Sequence, residues 1–186
     1  MEQAYGRLKE GYFEEAIEVF SECLLSEPAE PLAYQGRAMA HFQLKQWKPA
    51  AQDFLKAKEL NPEDPETWIG LAMSLAMANE IYEAIDIFEQ LLSRQPQCIR
   101  AHIQLAQLYY RLGVITKGHQ QLDKALAARP SLTERRTIEQ LKEEQLKLDK
   151  KRYYRPDFEA LHRANPSVLD GLAQKIKTFF SRTQKK

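Results

Sequence analysis

The chain has 186 residues, 27 Lys and Arg against 26 Asp and Glu, and 44% hydrophobic residues, an ordinary soluble composition with enough apolar material for a sizeable core. Its longest charge-free run near the middle, Ile69 to Ala78, is too short to cross a bilayer, so no membrane span is expected. The net charge of +1 hides a division: residues 1–130 hold 13 basic against 18 acidic side chains (−5), and residues 131–186 hold 14 against 8 (+6).

Met1 to Gly11 mixes Glu2, Arg7, Lys9 and Glu10 among its apolar residues, unlike the continuous apolar core of a secretory signal, and a cytoplasmic location is expected. Met1 to Leu8 reads as the end of a helix whose beginning is missing, either a natural half-helix or the edge of something longer. Gly11 turns the chain. Phe13, Ala16, Ile17, Phe20, Cys23 and Leu24 then line one face of a second helix that ends at Pro28. Glu14, Glu15, Glu18 and Glu22 on its other side read as solvated surface. The two cysteines, Cys23 and Cys98, have no paired spacing, and Cys23 reads as a buried thiol rather than half of a disulfide.

Residues 31–62 carry two helical faces, Tyr34, Arg37, Ala38 and His41, then Ala50, Phe54 and Ala57. Trp47 and Pro49 open the second helix, where a missing N–H is tolerated. Residues 65–96 repeat the pattern with Trp68, Leu71, Ala72 and Leu75, then Ala84, Phe88 and Leu91. Residues 99–130 repeat it again with His102, Leu105, Ala106 and Tyr109, then Gly118, Leu122 and Ala125. Pro28, Pro62, Pro96 and Pro130 mark the step directly: it is 34 residues each time. Ala38, Ala72 and Ala106 let the paired helices approach closely enough for Phe54, Phe88 and Leu122 to fill the space between them. Gly118 should make its helix the softest, because Gly weakens a helix by ~1 kcal/mol relative to Ala.

A strict period of this length, two helices per period, an aromatic opening the first helix and a proline closing the unit resemble the tetratricopeptide repeat family. The resemblance covers residues 1–130 and implies an all-α fold: a right-handed α-solenoid with a half repeat (1–28) and three full repeats (31–62, 65–96, 99–130). It also implies protein binding without naming a partner. Past Pro130 the repeat fades. Ser131 and Glu134 offer a capping box. Leu132, Ile138, Leu141, Leu148 and Tyr153 then mark a long helix suited to capping the last repeat, stopped by Pro156 and supported by Glu143 and Lys147 four residues apart. A short helix over 157–164 follows. The last stretch, from Ser167, has Val168, Leu169, Leu172, Ile176 and Phe179 or Phe180 on one side and Lys175, Lys177, Arg182, Lys185 and Lys186 around it. Packing on the preceding helices is the expectation for this basic tail, with a partner protein next and lipid or nucleic acid behind.

Nothing points to catalysis. His41, His102, His119 and His162 lie outside ligand spacing of one another or of a cysteine, and there is no glycine-rich phosphate loop, so no enzyme, metal or cofactor is expected. In the family the inner face of the first helices lines a concave groove. The resemblance places Gln35, Met39 and Phe42 there from one unit, Ile69, Met73 and Met77 from the next, and Arg100, Ile103, Gln107, Tyr110 and Arg111 from the third. Methionine is flexible and polarizable, so a row of it can mould to apolar side chains of varied shape. That suits a peptide or helix of another protein with apolar anchors. Family members that grip the terminal carboxylate of chaperones use Lys, Asn and Arg on this face. The matching places here hold Gln35, Met39, Gly70, Arg100 and Gln104, which disfavours that ligand. Two other readings stand beside the adaptor: self-assembly by stacking through the open first repeat, giving a homo-oligomer, and a regulator whose basic tail occupies its own groove.

Overall fold

Two prolines open helices in the computed structural model, which describes residues 1–152. Pro31 and Pro65 take the first turn, where no helical partner exists for an N–H, and the carboxylates of Glu30 and Asp64 before them accept backbone N–H groups as caps. Among the described residues the chain forms α1 (Glu2–Glu10), α2 (Phe13–Ser26), α3 (Pro31–Gln43), α4 (Trp47–Leu60), α5 (Pro65–Met77), α6 (Ile81–Arg94), α7 (Ile99–Arg111), α8 (Ile115–Ala127) and α9 (Leu132–Arg152), with no strand. Each full repeat is one helix pair, so the architecture is the all-α solenoid expected. The turn inside each pair uses one left-handed residue in the same slot: Gly11 (φ 88°), Lys45 (φ 59°), Asn79 (φ 71°) and Gly113 (φ 74°). Two of the four are not glycine, which the sequence pattern did not flag.

The chain divides into two compact units, Met1–Lys142 and Glu143–Lys186. In the first unit, successive first helices touch one another (α1 with α3, α3 with α5, α5 with α7), while the second helices α2, α4 and α6 touch only the first helices on either side of them. The more closely spaced row, α1, α3, α5 and α7, is therefore the inner wall of the curve.

The small-residue slots work as the pattern implied and in a second way too. Ala38 clusters with Phe54, Ala72 with Phe88, and Ala106 with Leu122. The phenyl rings also reach the following repeat: a methyl group on Gly36 would lie 2.2 Å from the Phe20 ring, and one on Gly70 would lie 2.4 Å from the Phe54 ring. Phe20 is fully buried there, a burial that stabilises by ~1.5–3 kcal/mol. A largely buried ion pair links the two helices of the first full repeat, and its arginine also reaches the repeat before it. Arg37 donates twice to Asp53, at 2.7 Å each, and once to the Ser21 hydroxyl at 3.1 Å, and the Asp53 bond holds the guanidinium pKa above its ordinary value.

Gly118 has a packing role that the pattern did not show: the Tyr110 ring lies over it, and an added Cβ would sit 2.2 Å from that ring. Two expectations need correction. Cys23 is half-buried rather than buried, at the edge of the cluster that holds Ala4, Ala16 and Phe20. On α9, Ile138 is buried with Ile103, Leu122 and Ala125, and Leu141 packs beside them, but Leu132 is 77% exposed and Leu148 51%, so the apolar stripe is shorter than the pattern implied. The Ser131–Glu134 capping box is formed in both directions, with Ser131 N–H donating to Glu134 at 2.9 Å and Glu134 N–H to the Ser131 hydroxyl at 3.3 Å. Within the second unit Lys147 donates to Glu143 at 2.7 Å. Tyr153, Pro156, the short helix over 157–164 and the basic tail lie outside the described residues.

Candidate peptide-binding groove

Helices α3 and α5 run side by side on the inner wall, and a cavity of about 230 Å³ opens between them. Phe54, buried beneath Gly70, forms its floor together with Ile69; Met39, Phe42 and Met73 form its apolar walls. Met39 is 42% exposed beside these other apolar groups, so part of its side chain is open to the cavity. The floor exists because Gly70 has no side chain: any larger residue would push the Phe54 ring out of place.

Polar groups at the rim are already engaged, which fixes the walls. Gln35 on α3 donates to the Asp64 carboxylate at 2.8 Å, and that carboxylate also accepts the Thr67 hydroxyl at 2.6 Å and the Thr67 N–H at 3.1 Å while capping α5. Arg100 at the start of α7 pairs with Glu66 at the start of α5, and both line the cavity. Phe42 meets Trp47 edge to face, ring centroids 5.0 Å apart.

The sequence-derived residues divide into three groups. Gln35, Met39, Phe42, Ile69, Met73 and Arg100 come together on the one cavity. Met77, 48% exposed and the last residue of α5, opens instead onto a neighbouring surface cavity of about 440 Å³ with Trp47 and Pro49, so the Phe42–Trp47 ring pair has one ring in each. The third repeat contributes differently. Ile103 is 7% exposed and packs in the cluster that holds Ile138 of α9. The Tyr110 ring lies against Gly118 and edge-on to His119 at 5.6 Å, with its hydroxyl 3.1 Å from His119 Nδ1. Gln107 is half-buried and Arg111 exposed. Gln35, Ile69 and Ile103 stand 34 residues apart in one slot, and each reaches the next first helix: Gln35 the cap of α5, Ile69 the cluster with Ala101 and Leu105 of α7, Ile103 the side of α9. That slot serves the junction between repeats more than open space. Gln43, Phe54, Glu66 and Gly70 are the lining residues that the pattern did not single out for partner binding; for the ring and glycine, the recurrence of Gly36 and Gly70 sixteen residues after Phe20 and Phe54 was the available signal.

Chemically the site can exclude water from an apolar side chain and offer a charged edge; it holds no nucleophile beside a base. Among the described residues no group of three His, Cys, Asp or Glu is placed to hold a metal ion. No helix among them is long and apolar enough to cross a membrane.

Comparison with known proteins places the chain among repeat proteins. Two family models, both described as tetratricopeptide repeat, match residues 1–65 and 65–108. The mouse interferon-induced protein with tetratricopeptide repeats 3 is 33% identical over 129 residues, which cover 67% of this chain and 32% of that protein. The chain spans a third or less of the length of the curated relatives it matches. Among solved structures, the thermophilic tetratricopeptide protein TTC0263 of Thermus thermophilus superposes with a TM-score of 0.64 at 21% identity, covering 74% of this chain and 76% of its own. The second such domain of human RPAP3, solved in complex with the HSP70 peptide SGPTIEEVD, gives a TM-score of 0.55 at 24% identity, covering 57% and 89%. At those identities the two structures share a fold with this chain.

Proposed function

The chain belongs to the tetratricopeptide repeat family, and from that premise we propose that it is a non-enzymatic adaptor whose α3–α5 groove takes an apolar peptide or helix of another protein. The family commonly mediates contacts between proteins, and the RPAP3 domain carries a peptide in its solved complex. The observation that carries the reading is the exposed thioether of Met39 facing Met73 and Phe42 across a pre-formed apolar floor. An apolar anchor seated there loses its contact with water, and so do both methionines, each fully buried side chain contributing ~1.5–3 kcal/mol. The walls are held by the Gln35–Asp64 and Arg100–Glu66 links, so little ordering is needed on binding. Arg100 is already paired with a carboxylate, which argues for selection by apolar anchors over capture of a terminal carboxylate.

The test is a selection of displayed random peptides on the full chain, followed by fluorescence anisotropy with the best binder. Met39→Glu and Met73→Glu should each weaken it at least about tenfold, ~1.4 kcal/mol. Tyr82→Glu, on the exposed side of α6, should leave it unchanged. Peptides that bind both methionine variants as well as the parent, or equal affinity for SGPTIEEVD, would refute the assignment.

A further inference from the structure

Because the repeat has a fixed step, one junction of the solenoid is a template for the next. Where the second pair meets the third, the Trp68 indole donates its N–H to the Pro62 carbonyl at 2.8 Å. The Lys58 ammonium lies 4.5 Å from its ring centroid and the Arg94 guanidinium 5.5 Å. One step further on, His102 takes the tryptophan's place and keeps the backbone bond, Nε2 donating to the Pro96 carbonyl at 3.0 Å with Nδ1 2.8 Å from Gln121 Oε1. Leu92 stands in the slot of Lys58, and Ala128 in the slot of Arg94. The indole and both cations have been replaced by smaller groups. A cavity of about 510 Å³ opens where they would lie, with His102, Leu92, Leu105 and Ala128 among its walls.

The same walls hold one carboxylate, Glu89, and one ammonium, Lys124, so the cavity has little net charge with which to recruit an ion. Glu89 accepts the Tyr109 phenol at 2.8 Å through one oxygen, and a carboxylate has acceptor capacity beyond one bond. Apolar sides, an imidazole face and a carboxylate acceptor match a flat, neutral ring bearing a single N–H. We propose that this cavity is a second binding site, which takes the tryptophan side chain of a partner protein into the space that Trp68 and Arg94 fill one repeat earlier. It is independent of the α3–α5 groove: its walls come from α6, α7, α8 and the turns beside them.

The test is a nitrogen-edited NMR titration of the full chain with N-acetyl-tryptophanamide, using N-acetyl-leucinamide as the apolar control. The expected result is a saturating shift of the Gln121 side-chain amide and of the Leu92 and Ala128 backbone amides, about tenfold weaker with the leucine compound. His102→Trp fills the cavity from within. It should abolish the shifts and raise Tm by a few degrees, as cavity filling does. Ala128→Arg restores the guanidinium of the preceding junction at a surface position and should block the site without disturbing the fold. Met73→Glu, in the groove, should leave the titration unchanged. Shifts confined to Met39 and Met73, an equal response to the leucine compound, no shift up to the solubility limit, or undiminished binding by Ala128→Arg would overturn the proposal.

Discussion

Replacing Gly70 with Ala sets two effects of known sign against each other. Helix propensity alone favours Ala in a helix interior by ~1 kcal/mol. The structure opposes this, because the new methyl group would sit 2.4 Å from the Phe54 ring tip, and Phe54 is only 4% exposed, so a packed ring must be displaced. Forcing extra volume into a packed core costs roughly 1–3 kcal/mol, so the net change should be a destabilisation of ~1 kcal/mol. With a urea slope of ~1–3 kcal/mol/M, the unfolding midpoint should fall by roughly 0.5 M. Gly6→Ala is the internal control, since an added Cβ there meets nothing within 4 Å and should show only the favourable propensity. The double variant Gly70→Ala with Phe54→Leu should lose less stability than the sum of its parts, because the shorter side chain makes room for the methyl group. If Gly70→Ala stabilised the protein as much as Gly6→Ala does, the seating of one repeat's ring on the next repeat's glycine would be refuted.

Lys45 holds a left-handed conformation that costs a residue with a side chain ~1–2 kcal/mol, so Lys45→Gly should raise stability by up to ~1 kcal/mol in a thermal melt; a loss would show that Lys45 is held by something other than its backbone. Burial, with the bond to Glu89 second, pushes the Tyr109 phenol up to about 12 from an ordinary 10.0. Its raised pKa adds stability that is fully present below pH 10 and is lost as pH rises toward 12; tyrosinate absorbance should lose its latest-titrating component in Tyr109→Phe. The Ser131 side chain, then its backbone N–H, hold Glu134 below its ordinary 4.5. That capping contribution is present above pH 4.5 and fades as pH falls through the depressed value; Ser131→Ala should bring the Glu134 titration, followed by NMR, back toward 4.5.

The helix pairs were legible because each repeat writes its own boundaries: Pro28, Pro62, Pro96 and Pro130 bracket helices that sit where the 34-residue step puts them. Residues lining the α3–α5 cavity were legible where lining depends on position within one helix, as with Met39 and Met73 a full repeat apart. Ile103 was not, because what covers it is α9, an element outside the repeat whose Ile138 reaches back onto it. Met77 follows the same helical face as Met73, but one turn later α5 ends, and the residue falls beside Trp47 instead. The left-handed Lys45 and Asn79 were hidden for a different reason: turn geometry is shared by all four pairs, while the glycine that would announce it occurs in only two.

The groove assignment is tested most directly by hydrogen–deuterium exchange of the full chain with and without its selected peptide. The expected result is slowed exchange confined to α3 around Met39 to Gln43 and α5 around Glu66 to Met73, lost in Met73→Glu. Protection on the outer helices α4 and α6, with α3 and α5 unchanged, would contradict it.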